Sequence, residues 1–347
     1  MHRARQRRPR LTSTYVRAWS VLNGFALAAA MLGSANAQQP VSEASVASTT
    51  STGSAASAAT ATPALPTSAA TSAAGPALSA NATAEPPKTP ASQVGKLSLD
   101  RQVRWLSRAA LSGTLAKMSD TALVALFQSL DPLALPRYLK EGPNGYPSYE
   151  FTMLRRERIE GKWPDQPDHM LVRVTRDPMR VYAKWLPDGD HSGQEILYDE
   201  TTRPDEMLGH LGGILNVMTL WTALDGSLAR SQSRHSIRDL GTEFITQQFL
   251  AEGKKFAEAG VTRANNIEVK TIDGARVVAF TYEAPQGQPQ FYAKKEVLGL
   301  DLRRPYFRTA ESFDNDGNIF ESIVFQNIAP KVFDENTFNP KNPDYHF

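Results

Sequence analysis

Six histidines and a few acidic residues are the groups in this sequence that could perform acid–base or metal chemistry. The histidines are His2, His169, His191, His210, His235 and His346. His191 and Glu195 are four residues apart, but their segment has the pattern of a loop followed by a strand, so they would not share a helix face. Glu195, His210 and His235 form a polar cluster of acid, base or metal ligands only if folding brings them together. Alternatively, they hydrogen-bond to one another and to nearby backbone groups.

The motifs of common catalytic sites do not occur in this chain. It contains no Gly-x-Ser-x-Gly turn, no phosphate-binding P-loop and no His-Glu-x-x-His zinc motif. It also contains no cysteine, which excludes disulfides, thiolate metal sites, thiol nucleophiles and a lipidated cysteine. We therefore predict no catalytic residue, no metal ion and no cofactor, and the sequence favours a binding protein over an enzyme.

The most unusual polar stretch of the chain is 225–241, with Ser233-Arg234-His235 near its centre. Arg234 beside His235 could hold a carboxylate or phosphate head group, because a guanidinium fork fits such oxyanions. The alternative is a loop fixed to the rim of the fold by the same hydrogen bonds. The preceding run, 211–224, is apolar and uncharged. It predicts a buried helix or strand, or else a flexible lid over an apolar cavity.

The elements that must position these residues follow from hydrophobic periodicity. Leu99, Val103, Leu106 and Ala110 share one face of a predicted helix, a second helix starts at Ser119 or Asp120, and a third covers 240–259. After residue 146 the pattern alternates with period two, and Asp273-Gly274 is a strong hairpin signal. The predicted strands are 170–175, 179–185, 194–199, 265–272, 275–284, 289–300, 303–313 and 319–329. The fold class is therefore α+β, a curved, incompletely closed antiparallel β-barrel with helices packed on one side.

The N-terminal segment has the features of an export signal. Six arginines accompany an apolar run of 16 residues, Ala18 to Gly33, which is shorter than the roughly 20 residues of a membrane span. Ala35-Asn36-Ala37 supplies a signal-peptidase site, so we expect cleavage after Ala37 and a periplasmic or secreted protein with no transmembrane segment in its mature form. Without these residues the net charge changes from +2 to −4, which argues against a nucleic-acid partner.

The segment after the signal consists mainly of Ala, Ser, Thr and Pro. Such a composition buries too little apolar surface to offset its chain entropy, so it is predicted to be a disordered tether. The predicted organisation is a signal peptide at 1–37, a linker at 38–95, N-terminal helices at 96–145 and a β domain at 146–347.

Several short motifs occur in an order that resembles an uncharacterised bacterial family, domain of unknown function 1571, over about 146–347. They are Glu157-Arg158-Ile159-x-Gly161, Lys184-Trp185-Leu186, 193–198, His210-x-Gly212-Gly213, Ser233-Arg234-His235 and Phe338-Asn339-Pro340-x-Asn342-Pro343-x-Tyr345. That family is similar in fold to the LolA and LolB carriers of outer-membrane lipoproteins. The resemblance implies a LolA-like barrel lined with apolar side chains and covered by helices. It transfers no catalytic residue, because none is established for the family.

Three functions are consistent with these features. The first is a protein of the cell envelope that binds a lipid or lipoprotein acyl chain in a barrel cavity. The residues predicted to contact this ligand are Trp185, Tyr198, Leu215, Trp221 and Phe325, with Arg234 or His235 at the mouth. The second is a scaffold that binds an envelope protein through the helices at 97–140. The third is an envelope hydrolase that uses Glu195, His210 and His235.

Overall fold

The computed structural model describes residues 85–142, 146–212, 218–287 and 290–347. The predicted signal peptide and most of the predicted linker lie outside these residues. The α-helices are Leu99–Leu111, Thr114–Lys117, Asp120–Ser129, Ala134–Glu141, Ser227–Arg230 and Thr242–Glu258. The 3-10 helices are Ala91–Lys96, Ile237–Asp239 and Glu335–Phe338. No helix in the described part of the chain has the length and apolarity of a membrane span.

Eleven strands form one sheet. They are β1 Ser148–Glu157, β2 Asp168–Arg176, β3 Met179–Trp185, β4 Glu195–Asp199, β5 Glu206–His210, β6 Thr219–Ala223, β7 Asn266–Ile272, β8 Ala275–Glu283, β9 Lys295–Asp301, β10 Phe307–Phe313 and β11 Ile319–Pro330. Their spatial order is β6-β5-β4-β3-β2-β1-β11-β10-β9-β8-β7. Each neighbouring pair is antiparallel, and β6 and β7 are the two edges. The predicted fold class is confirmed, because this is one open antiparallel sheet with helices.

The inner face of the sheet packs against the helices in the main hydrophobic core. β1 shows the underlying alternation, since every second residue from Tyr149 to Glu157 is buried. Leu106 and Tyr138 from the N-terminal helices and Phe249 from the Thr242–Glu258 helix belong to the same core. Phe249 packs edge-on against Phe307 of β10 with ring centroids 5.0 Å apart. The period-two strands and the amphipathic helices therefore bury one shared apolar layer.

The outer face of β3, β4 and β5 is covered by the C-terminal tail. Tyr345 stacks on Tyr182 with ring centroids 4.0 Å apart, and both belong to a second, smaller core that includes Phe338. Tyr345 also accepts a hydrogen bond from Arg173 at 3.3 Å. The tail therefore shields from water a sheet surface that the strand pattern alone would leave exposed.

Two local features differ from the sequence predictions. The 3-10 helix Ala91–Lys96 places Val94 fully inside the core, so the predicted linker boundary at residue 95 falls within an ordered element. The apolar run 211–224 does not form a buried helix or strand in its described part. Thr219–Ala223 is an edge strand, and Met218 and Trp221 are 52% and 38% exposed. An edge strand has a partner on one side only, which explains the exposure.

Candidate ligand-binding cavity

A cavity lies between the inner face of β2–β6 and the covering segment 224–240. Its volume is about 730 Å³, including the space at its open mouth. On β6, Leu220 and Thr222 line the cavity while Trp221 between them does not, as the pleat requires. The apolar lining residues are Met170, Trp185, Ile196, Met207, Leu211, Leu220, Leu224, Leu228, Ile237 and Leu240. The cavity is therefore a narrow, mostly apolar space.

Polar side chains within the lining join the sheet to the covering segment. Gln194 Nε2 donates a hydrogen bond to Gln232 Oε1 at 2.9 Å, and Arg155 Nη1 donates to Ser233 Oγ at 3.0 Å. Trp185 differs from them, because its Nε1–H is buried and has no acceptor among the described residues. A buried donor without a partner costs about 1–3 kcal/mol. The indole N–H is therefore available to an acceptor atom of a bound molecule.

A chain of charged side chains that runs from buried Arg155 to exposed His191 lies beside the cavity. Arg155 Nη2 donates to Asp168 Oδ2 at 2.8 Å, and the other oxygen of Asp168 lies 2.8 Å from His191 Nδ1. Burial opposes ionisation of Asp168, but His191 and Arg155 hold its pKa below the usual value. The hydrogen bond to Asp168 in turn raises the pKa of His191. Asp168 therefore stays ionised at neutral pH and fixes the Arg155 guanidinium.

A second polar cluster joins His235 to two carboxylates. His235 Nε2 lies 2.5 Å from Glu321 Oε1 and 3.9 Å from Glu157 Oε1. The Tyr292 hydroxyl donates to Glu321 Oε2 at 3.1 Å. Burial opposes protonation of His235, but the hydrogen bond and negative charge of Glu321 and the charge of Glu157 raise its pKa. Nearby, burial and the charges of Glu252 and Glu321 raise the pKa of Glu296 to about 7. Several carboxyl groups therefore share this part of the inner face.

Two of the predicted ligand-contacting residues, Trp185 and His235, line the cavity. Leu215 lies outside the described residues. Tyr198 is fully buried; its hydroxyl donates to the Pro204 carbonyl at 3.2 Å and accepts from Arg238 Nε at 2.8 Å. Both interactions belong to the protein itself, so Tyr198 is a packing residue rather than part of the lining.

The remaining three predicted contacts lie away from the cavity lining. Phe325 belongs to the main core, where its ring meets Phe151 edge-on at 5.4 Å. Trp221 lies under the Arg203 guanidinium, 4.2 Å from ring centroid to Cζ. Arg234 stacks over a phenylalanine ring, and its Nη1 donates to the Arg158 carbonyl at 3.2 Å. Of the two residues predicted at the mouth, His235 lines this cavity, whereas Arg234 lines a separate surface cleft.

The hypothesis of a single Glu195, His210 and His235 cluster is wrong. Glu195 accepts hydrogen bonds from His346 on the outer face, and the His210 ring stacks on the His346 ring at 5.9 Å between centroids. His235 instead belongs to the inner face, with its Nε2 bonded to Glu321. Glu195 and His210 are register partners in neighbouring strands, so their side chains share the outer face. The sheet therefore lies between these two residues and His235.

The interactions of Glu195 should make the free energy of unfolding fall in acid. In Glu195→Gln this dependence on acid should be weaker. Burial alone would raise its pKa, but hydrogen bonds from His346 and Lys184 lower it below the ordinary 4.5. The contribution of the carboxylate is therefore complete above pH 4.5 and is lost as the pH falls through the lowered pKa. We expect Glu195→Gln to cost about 1–3 kcal/mol at neutral pH.

Urea unfolding of both proteins between about pH 6 and about pH 3 measures this difference. The gap in the free energy of unfolding should narrow as the pH falls below 4.5. A gap that stays constant or widens on acidification would refute the assigned role of Glu195. His169→Gln is a suitable control, because His169 contacts the exposed Asp188 rather than a buried carboxylate.

Sequence reasoning missed Arg155, Glu157 and Glu321. The signal was nonetheless present in the strand alternation, since Arg155 and Glu157 continue the inward-facing series of Phe151 in β1. Likewise Glu321 lies an even number of residues before the core residue Phe325 in β11, so both side chains lie on the inner face. Charged residues at inward positions of an amphipathic strand mark a site or a buried ion pair.

Several solved structures are similar to this chain at low sequence identity. An uncharacterised conserved protein from Thermus thermophilus matches at 11% identity and a TM-score of 0.33, with 61% of this chain and 93% of that chain covered. A putative outer membrane lipoprotein-sorting protein domain from Vibrio parahaemolyticus matches at 13% and 0.29, covering 60% and 95%. A LolA superfamily protein from Nitrosomonas europaea matches at 9% and 0.23, covering 57% and 91%. Similarity at this level does not define a ligand.

No curated protein matches this sequence. A family model does match it, over residues 146–347, which are the residues that carried the resemblance in the sequence. The match spans all eleven strands and the C-terminal tail. The chain therefore belongs to the family described as protein of unknown function (DUF1571).

Proposed function

We propose that this protein binds an amphipathic molecule with a slender apolar chain, such as the acyl chain of a lipid or lipoprotein, in the cavity beneath 224–240. The observation that carries the proposal is the unpaired, buried Trp185 N–H within a mostly apolar lining. Apolar walls select an apolar ligand, and a buried donor without a partner selects an acceptor oxygen on it.

The energetics of such a complex follow from the lining. Each methylene group removed from water contributes about 0.8 kcal/mol. The acceptor of the ligand would satisfy Trp185, which is otherwise unpaired among the described residues. Arg155 stays bonded to Asp168 and Ser233, so it supplies positive potential at the cavity wall without having to leave its partners.

We also propose that the protein acts outside the cytoplasm, in the cell envelope. The support is the arginine-rich start, the apolar run and the Ala35-Asn36-Ala37 site in the sequence. An exported location would bring the cavity to lipids and lipoproteins in transit. N-terminal sequencing of protein recovered from the periplasm tests this, since cleavage after Ala37 is expected and an intact N-terminus in the cytoplasm would contradict it.

Native mass spectrometry of protein purified without detergent tests the binding proposal. We expect a population carrying a bound lipid, and a protein stripped of lipid should take up a fluorescent fatty acid with saturable kinetics. A homogeneous, folded protein that carries no lipid and takes up no fatty acid would refute the proposal.

Trp185→Phe should weaken fatty-acid binding by about five- to tenfold, because it removes one hydrogen bond of about 1 kcal/mol or slightly more while keeping an aromatic ring. Trp221→Phe is the matched control, since Trp221 lies on the opposite face of the sheet under Arg203. Fluorescence titration measures both affinities. Equal losses in the two variants, or none in Trp185→Phe, would contradict the role given to the indole N–H.

A further inference from the structure

Three potential metal ligands from distant parts of the chain converge on the inner face. Glu157 of β1 and Glu321 of β11 are register partners, and His235 approaches them from the covering segment. One oxygen of each carboxylate and one ring nitrogen of His235 all lie within 4.8 Å of one another. The Tyr292 hydroxyl borders the group, 3.4 Å from His235 Nε2. These four residues are named the Glu–His cluster below.

The Glu–His cluster contains a buried carboxylate oxygen that lacks a hydrogen bond. Glu157 is only 6% exposed, and its Oε2 has no hydrogen-bond donor among the described residues. Its nearest cation is Arg155 Nη1 at 3.6 Å, whereas Arg155 is hydrogen-bonded to Asp168 at 2.8 Å. A buried anionic oxygen in this state is costly unless a further positive group satisfies it.

The local charge balance is also negative. Two glutamate side chains face one histidine, while the Arg155 guanidinium beside Glu157 is shared with Asp168. Glu296 adds a further carboxyl group on the same face, next to Ser312 and Glu321. Excess buried negative charge destabilises a fold, and a bound divalent cation is the strongest local source of compensating charge.

We propose that Glu157, His235 and Glu321 bind a divalent transition-metal ion. Two carboxylates and one imidazole are typical ligands of Zn²⁺ and Mn²⁺, and three protein ligands leave a coordination position for water or an exogenous group. The ion would replace the direct His235–Glu321 hydrogen bond with two metal–ligand bonds. Because the chain contains no cysteine, a transition-metal site in it would have to use oxygen and nitrogen ligands.

The Glu–His cluster is reachable from two sides. His235 lines the apolar cavity, and Tyr292 lines a separate surface cleft that also includes Arg158 and Arg234. One member of the cluster therefore borders each of these two spaces. The proposal is independent of acyl-chain binding, because it depends on the carboxylates of β1 and β11 rather than on the apolar lining.

The experiment uses the whole chain without a histidine tag, dialysed against a chelator and then against chelator-free buffer. Isothermal titration with ZnSO₄ and with MnCl₂ is expected to show about one ion per chain for one of them, and elemental analysis after desalting should agree. Glu157→Gln and Glu321→Gln should each weaken binding about tenfold or more, in line with losses at other metal sites. Cobalt substitution adds a ligand-field spectrum that His235→Gln should change.

His346→Gln is the matched control. His346 also hydrogen-bonds a buried glutamate, Glu195, but on the outer face. Circular dichroism without metal identifies any variant that fails to fold. If one of the three ligand variants is unfolded, the metal affinities of the other two decide the result. Stoichiometric binding that Glu157→Gln or Glu321→Gln weakens and His346→Gln preserves supports the site. Any other pattern overturns it, including no binding by the folded wild type or equal effects in all variants.

Discussion

Replacing Arg155 with methionine is expected to lower the free energy of unfolding by about 3–5 kcal/mol. Arg155 is 8% exposed and forms ion pairs with Asp168 and Glu157. Burial would lower its pKa, but these two carboxylates raise it, so the guanidinium is charged throughout the accessible pH range. Methionine fills a similar space without charge, which leaves two buried carboxylates without their shared cation. The loss of stability therefore comes from buried carboxylates that no longer have a cation beside them, rather than from a missing packing contact.

Equilibrium urea unfolding at neutral pH measures this loss. The control is Arg137→Met, which removes an arginine that also bridges two carboxylates, Asp100 and Glu141, but at the surface. Solvent screens that arrangement, so a much smaller change is expected. Adding Asp168→Asn to Arg155→Met should recover part of the stability, because it removes one of the stranded charges. A loss in Arg155→Met no larger than in Arg137→Met would contradict the buried-charge account.

Gly209→Leu is expected to abolish fatty-acid binding while leaving the fold intact. Gly209 of β5 lines the cavity, and a Cβ placed on it would have the Leu220 carbonyl oxygen, at 3.9 Å, as its nearest neighbour. The added side chain therefore enters open space rather than backbone. Because glycine weakens a strand and cavity filling stabilises a fold, the melting temperature should stay the same or rise.

Fatty-acid titration and thermal unfolding of the same samples check both parts of this prediction. We expect a loss of affinity of at least about tenfold, since a leucine occupies volume worth several methylene groups of the ligand. Gly209→Ala provides the graded control and should retain measurable binding. A Gly209→Leu protein that is stable and binds as well as the wild type would place the ligand elsewhere.

Much of the architecture was readable from hydrophobic periodicity. The helix predicted from Leu99, Val103 and Leu106 is Leu99–Leu111, and Ser119 caps the next helix by accepting a hydrogen bond from the Ala122 N–H. The Asp273-Gly274 hairpin is confirmed, with both residues at positive φ between β7 and β8. These features depend on a few neighbouring residues, which is why sequence pattern suffices to predict them.

The site was harder to predict because its residues meet only in three dimensions. Residue type alone suggests Trp185, Trp221 and His235 as ligand contacts, but the face of the sheet on which a side chain lies decides whether it reaches the cavity. Trp221 lies on the exposed face of the edge strand β6, which the apolar run 211–224 does not reveal. Glu157 and Glu321 were not considered together, because their pairing depends on the register of strands far apart in the chain.

The position of β1 between β2 and β11 has a consequence for the order of folding. The sheet consists of two meanders, β1–β6 and β7–β11, which meet where β1 pairs with β11. The register partners of this pair include Glu157 and Glu321, which are 164 residues apart in the sequence. Local hairpins form quickly, whereas a strand pair between residues so far apart in the sequence, such as β1 with β11, forms slowly. We therefore expect the cavity, most of which belongs to the first meander, to take shape early in biogenesis. The Glu–His cluster would be completed only when the last strand, β11, docks on β1.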